Sequence, residues 1–175
     1  MKKNKKSFLK QLAVGSKAEE LVCATLNDAN IRCSLDKTSL IKWDIIGEIK
    51  RRNKDRTIKT NEVTVEVKYD EYENRSGNIA IEVFNTRLNK PSGIMATKAY
   101  FWAHVLKNGE IYLTTTKKLK EYARRRKPHR VIASGGDNNA KLYLYRSEKI
   151  LNDIFTRIDD IGIDKLRKIV GDSYV

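Results

Sequence analysis

Val63-Thr64-Val65-Glu66-Val67-Lys68 alternates strictly between apolar and polar side chains. A period of two predicts a β-strand with Val63, Val65 and Val67 on one face and Thr64, Glu66 and Lys68 on the other. β-branched valines fit a pleated, half-buried surface, so their face is the core face. A carboxylate and an ammonium two positions apart then project together from the opposite face. In a two-layer α/β domain that face can form the floor of a cleft.

Upstream, residues 41–50 read as a paired strand carrying Trp43, Asp44, Ile45, Ile46 and Ile49, and the basic run 51–56 reads as the hairpin connection. Asp44 is out of place there, because aspartate is disfavoured in strands. Held inside an apolar run, it needs a cation, a metal or backbone N–H groups as a partner. Before this hairpin, residues 9–30 carry a helical stripe of Leu21, Val22, Thr25, Leu26 and Ala29. Gly15-Ser16 is a candidate interruption, with Ser16 as N-cap. Glu19 falls on the border of the stripe and Glu20 nearly opposite it, so Glu19 is the acid that can reach an interior cleft. A first-turn acid complementing the helix dipole is the plain alternative. Residues 1–7 read as a basic flexible arm.

Downstream, residues 71–78 form a polar loop and 79–84 a third strand, with Glu82 on the side of Ala80 and Phe84. Thr97 is a candidate cap for a short helix through Lys98 and the aromatic cluster Tyr100-Phe101-Trp102, which reads as core. Thr97 and Lys98 are open to a phosphate contact at the helix start, with an ordinary cap as the simpler account. Asn108-Gly109 marks the turn of a hairpin between 104–106 and 111–114. His104 is open to a general-base or a packing role, and Glu82 to a cleft or a solvated one. A helix over 116–126 turns Leu119, Tyr122 and Ala123 inward and Lys117, Lys118, Lys120, Arg124, Arg125 and Arg126 outward. With Lys127, His129 and Arg130 it forms the densest positive patch in the chain. Pro128 stops it. A loop at 134–139, a strand at 141–146 and a helical segment over 147–170, with a break at Gly162, complete the pattern.

The 175 residues fit one domain, with residues 8–175 in a core of about 12–115 and an extension of about 116–175. The 36 basic and 22 acidic residues leave a net charge of +14. That excess suits a polyanion, nucleic acid before an anionic membrane surface. Cys23 and Cys33 make no CxxC motif and read as buried structural thiols in a reducing, cytoplasmic setting. No apolar run approaches membrane-spanning length, and no h-region follows the charged start, so neither a membrane span nor a signal peptide is expected.

Glu19, Asp44 and Glu66 converging in one cleft would repel one another without a cation, and an oxygen-rich ligand set suits Mg²⁺ or Mn²⁺. Such a metal polarises a phosphate oxygen and acidifies water, and a neighbouring lysine stabilises charge on the phosphorane. Asp44, then Glu66-Val67-Lys68 on the next strand, behind a helix bearing Glu19, resembles the PD-(D/E)XK nuclease superfamily. Gly15-Ser16-Lys17-Ala18-Glu19, followed by Val22 and Leu26, is similar to the first helix of archaeal-type Holliday junction resolvases. Trp43 stands where the motif has proline.

The resemblance covers roughly residues 12–115 and implies a restriction-endonuclease-like α-β-β-β-α-β core, a mixed central sheet flanked by helices. It also implies Asp44, Glu66 and the Val67 carbonyl as metal ligands, Lys68 as catalytic lysine, and Glu19 as an accessory acid on the metal or its water. The expected activity is Mg²⁺-dependent cleavage of DNA, on branched or junction substrates first and in a restriction- or phage-type setting next. A homodimer would suit branched DNA, though no stretch marks an interface. The competing expectation is a non-catalytic basic nucleic-acid-binding module with the same fold.

Overall fold

The structure is a computed structural model that describes residues 2–36, 43–52, 57–135, 139–158 and 165. Helix α1 (Lys2–Asp28) is continuous. It begins where the sequence reading expects a flexible arm, and it runs through Gly15-Ser16 without a break. Its buried face is Ala18, Val22, Cys23 and Leu26, and Ala29 continues that row just past its end. Leu21, expected on the stripe, is exposed, because the stripe follows the 18–22–26–29 row with Cys23 beside it. Asn30 ends the helix in the left-handed region at φ 57°. The Ile31 N–H then donates to the Leu26 carbonyl at 3.0 Å and the Asn30 N–H to that of Asn27 at 2.8 Å, closing the last turn.

Three strands follow: β1 (Arg32–Leu35), β2 (Ile45–Arg52) and β3 (Ile58–Asp70). β1 has no counterpart in the sequence reading. The Asn27 side chain binds it like a neighbouring strand, with Nδ2 donating to the Cys33 carbonyl and Oδ1 accepting from the Cys33 N–H, both at 3.0 Å. After the short α2 (Glu73–Ser76) come β4 (Asn78–Asn85), β5 (Lys90–Pro91), β6 (Phe101–Leu106) and β7 (Ile111–Thr115). Then α3 (Thr116–Arg125), β8 (Arg130–Gly135), β9 (Ala140–Arg146), α4 (Ser147–Ile154) and β10 (Thr156–Arg157) complete the described order.

The fold is mixed α/β. A six-stranded sheet runs β1-β2-β3-β6-β7-β10 and a four-stranded one β5-β4-β9-β8. The large sheet is mixed, since β3 pairs antiparallel to β2 and parallel to β6. Val63 and Val65 are fully buried in one core with Val22, Leu26 and Phe101, and Val67 packs against it. The valine face of β3 therefore lies under α1. A second core of Ile79, Ile81, Trp102, Leu119, Tyr145 and Ile150 joins the other face of the large sheet to the small sheet, α3 and α4. No helix among the described residues is long and apolar enough to cross a membrane.

Several expected elements change. The expected third strand is β4, and it belongs to the small sheet; the large sheet takes β6 beside β3 instead. Phe101 and Trp102, expected in a short helix, open β6, where all six residues are buried. Arg130 starts β8, which the sequence reading omits. Of the helix expected over 147–170, α4 forms Ser147–Ile154; Phe155 is extended and leads into β10, paired with β7. The rest of the expected helix, with Gly162, Leu166, Ile169 and Val170, lies outside the described residues, apart from Lys165.

Candidate active site

β2 and β3 pair with Ile46 opposite Thr64 and Ile45 opposite Val65. Extending that register by one residue sets Asp44 opposite Glu66. Asp44 is not inside β2, as expected, but immediately before it, its N–H still donating to the Val65 carbonyl at 3.0 Å. From there its Oδ2 accepts the Val67 N–H at 2.7 Å. Backbone N–H groups are one of the partners a buried aspartate needs. Glu66 is half-buried on the face opposite the valines, and its Oε2 accepts from the Thr97 hydroxyl at 3.0 Å. One oxygen of each carboxylate is thus fixed by the protein, leaving Asp44 Oδ1 and Glu66 Oε1.

The electrostatics tie the predicted residues together. Burial pushes the Glu66 carboxyl up to about 7, and the nearby Asp44 charge adds to that. The Thr97 hydrogen bond and the Lys68 ammonium oppose the rise, and Glu19 makes a smaller contribution to it. Asp44 is also raised by burial, against the Val67 N–H and Lys68. Glu19, half-buried on α1 while Glu20 is exposed, is raised by burial and then by Asp44. Glu19 therefore joins the cluster mainly through Asp44. Three mutually repelling carboxylates beside one exposed lysine are a site short of positive charge.

Thr97 and Lys120 have positions the sequence reading did not anticipate. Thr97 is buried in the segment between the turn at Gly93–Met95 and β6, capping no α-helix. Lys120, expected to point outward, is half-buried, with Nζ donating to the Thr97 carbonyl at 3.0 Å. Its spacing from buried Leu119 and Ala123 was the available signal. The start of α3 is anchored beside this point, as the Thr116 N–H donates to the Tyr100 carbonyl at 2.9 Å. From there α3 leads away with Lys117, Lys118, Arg124 and Arg125 exposed, followed by exposed Arg126, Lys127 and Arg130. Lys98 is exposed next to Thr97 but begins no helix. Glu82 sits on β4, in the small sheet. His104 is fully buried with its Nε2 3.3 Å from Asp70 Oδ2.

Among the described residues, no group of three or more histidine, cysteine, aspartate or glutamate side chains stands at metal-holding spacing. The donor set that fits a hard cation is instead a pair of carboxylates, each with one oxygen oriented by a hydrogen bond. No protein-family model matches the chain, and no curated protein matches it. Among solved structures, a bacterial homing endonuclease is similar at 14% identity and a TM-score of 0.43, over 66% of this chain and 82% of that one.

Proposed function

We propose that this chain is a metal-dependent DNA endonuclease whose centre is Asp44, Glu66 and Lys68. The observation that carries the reading is a pair of half-buried carboxylates at adjacent strands, Asp44 with Oδ2 on the Val67 N–H at 2.7 Å and Glu66 with Oε2 on the Thr97 hydroxyl at 3.0 Å. Burial and the Asp44 charge push Glu66 up to about 7. Two like charges held together with raised pKa values oppose each other without a cation, an arrangement that supports a functional site. Asp44 and Glu66, with the Val67 carbonyl, would hold Mg²⁺ or Mn²⁺, and Glu19 would contribute directly or through water. Bound there, the ion would polarise a phosphodiester oxygen and acidify water. Lys68, exposed on the same face, orients the attacking water and offsets charge growing on the phosphorane. Thr97 keeps Glu66 aimed. The cations of α3 hold backbone phosphates, a term that weakens steeply with salt. Branched or junction DNA is the first substrate to try, and a dimer its natural reader.

The test is cleavage of labelled linear duplex and four-way junction with Mg²⁺, against EDTA and the variants Glu66→Ala and Lys68→Ala. Loss of cleavage in both variants is expected, and full activity in both would sink the mechanism. A non-catalytic nucleic-acid-binding module with this fold draws on the two-carboxylate donor set, leaner than a three-acid site. It predicts salt-sensitive DNA binding untouched by Asp44→Asn, and no Mn²⁺ uptake by calorimetry.

A further inference from the structure

Beyond α3 the chain turns back through β9 into α4, and these elements enclose a pocket of about 380 Å³ that none of Glu19, Asp44 and Glu66 lines. Four cations stand on its rim, Arg126 and Lys127 just past the end of α3, Arg146 at the end of β9 and Lys149 on α4, and the His129 ring joins them. All five are exposed. Among the described residues, Arg126, Lys127, Arg146 and Lys149 have no carboxylate partner. Its floor is aromatic. Tyr122 and Tyr145 are buried and meet edge to face, with ring centroids 5.2 Å apart.

Their hydroxyls are already engaged, Tyr122 with Asp153 Oδ2 at 3.0 Å and Tyr145 with the Arg126 carbonyl at 3.3 Å. The floor therefore offers ring carbon and no free donor. Burial holds both phenols near 12, so neither adds negative charge.

Unpaired like charges gathered from three elements call for an anion. A bare phosphate would need only the rim, whereas the apolar floor and the volume, within the ~300–1,000 Å³ of small-molecule sites, fit something larger. Arg126 lies six residues beyond Lys120, about 9 Å along the helix axis. That spans two to three nucleotide steps at the ~3.4 Å rise of a duplex strand.

We propose that the pocket holds one nucleotide of a nucleic-acid strand, its phosphate at the cationic rim and its sugar and base on the tyrosine floor. The proposal rests on the nucleic-acid reading above and adds a second contact point away from the cleavage centre. The test is calorimetric titration of the full chain in EDTA with thymidine 5′-monophosphate, thymidine and inorganic phosphate. The monophosphate is expected to bind at least about tenfold tighter than either fragment, and Arg146→Ala/Lys149→Ala to weaken it about tenfold or more. Lys127→Ala, outside any helix or strand, is the second variant and weakens it in the same direction. Glu66→Gln leaves it unchanged. Equal binding of phosphate, indifference to the rim variants, or loss in Glu66→Gln each overturns the pocket. Monophosphate binding that follows the expected pattern in a protein that cuts no DNA overturns the cleavage reading alone.

Discussion

The Thr97 hydroxyl donates a 3.0 Å hydrogen bond to Glu66 Oε2, linking the segment before β6 to the centre of β3. A bond to the ionised form lowers a carboxyl pKa, so Thr97 works against the burial that pushes Glu66 up to about 7. Thr97→Val keeps the volume and removes the donor, and also the acceptor of the Ala99 N–H. In metal-free protein the Glu66 midpoint should rise further, by on the order of one pH unit, and Thr97→Ser should restore it. Carbon-13 NMR of the carboxyl reads this directly. An unmoved midpoint would show that Thr97 does not tune Glu66.

Glu66 itself carries a stability cost in the absence of metal. Its folded value, about 7, stands above the ordinary 4.5, so between those pH values the folded state binds more protons than the unfolded chain. Stability therefore falls as pH rises through that window. At about 1.4 kcal/mol per pH unit the full effect is at most roughly 3.5 kcal/mol. Glu66→Gln should be more stable than the parent at pH 8 and close to it at pH 4.5, while losing activity. Urea denaturation in EDTA at the two pH values checks the sign. Equal parent and variant stability at pH 8 would mean that Glu66 is well solvated.

The sequence made this strand readable because only one of its faces is apolar. Val63 and Val65 are buried and Lys68 exposed, as a period of two demands. Glu19 was legible for a similar reason, lying on the border of a one-sided helix. β6 was not, because Phe101 through Leu106 are buried on both faces and a doubly covered strand shows no alternation. β4 was legible as a strand, but periodicity assigns a face and not a sheet. β1 escaped notice because it is short and is held on one side by a helix side chain, Asn27. The roles of Thr97 and Lys120 depend on contacts 31 and 23 residues apart in sequence, which no local pattern encodes.

Asp70, at the end of β3, is the structural counterpart to Glu66. Burial raises its carboxyl, but His104 and the Tyr72 and Ala80 N–H groups outweigh that and hold it below the ordinary value. Its two oxygens meet the N–H groups of Tyr72, Glu73 and Ala80 and the His104 ring. With the pKa lowered, its contribution is present above the ordinary 3.8 and is lost as pH falls through the folded value. Asp70→Ala strands the buried His104 ring and three partly buried N–H groups where the two sheets meet and should cost about 2–4 kcal/mol. Denaturant melts at pH 7 measure it, and a loss under about 1 kcal/mol would contradict the network.

Two glycines should respond to alanine with opposite signs. Gly47 on β2 lies directly opposite Cys33 on β1. A Cβ there would collide with the Arg32 carbonyl oxygen and come within 2.5 Å of the Cys33 Cβ. Neither can swing aside, because Cys33 is fixed by Asn27 on both backbone groups and its sulfur lies 3.4 Å from that of Cys23. Gly47→Ala must push β1 off β2 and should cost about 1–3 kcal/mol. Gly15 is inside α1 with nothing within 4 Å of an added Cβ. There alanine only narrows the unfolded ensemble and favours the helix, so Gly15→Ala should stabilise by about 0.5–1 kcal/mol. Guanidinium midpoints at constant slope compare the two. A destabilised Gly15→Ala would mean that α1 does not run unbroken through that position, and the placement of Glu19 would fall with it.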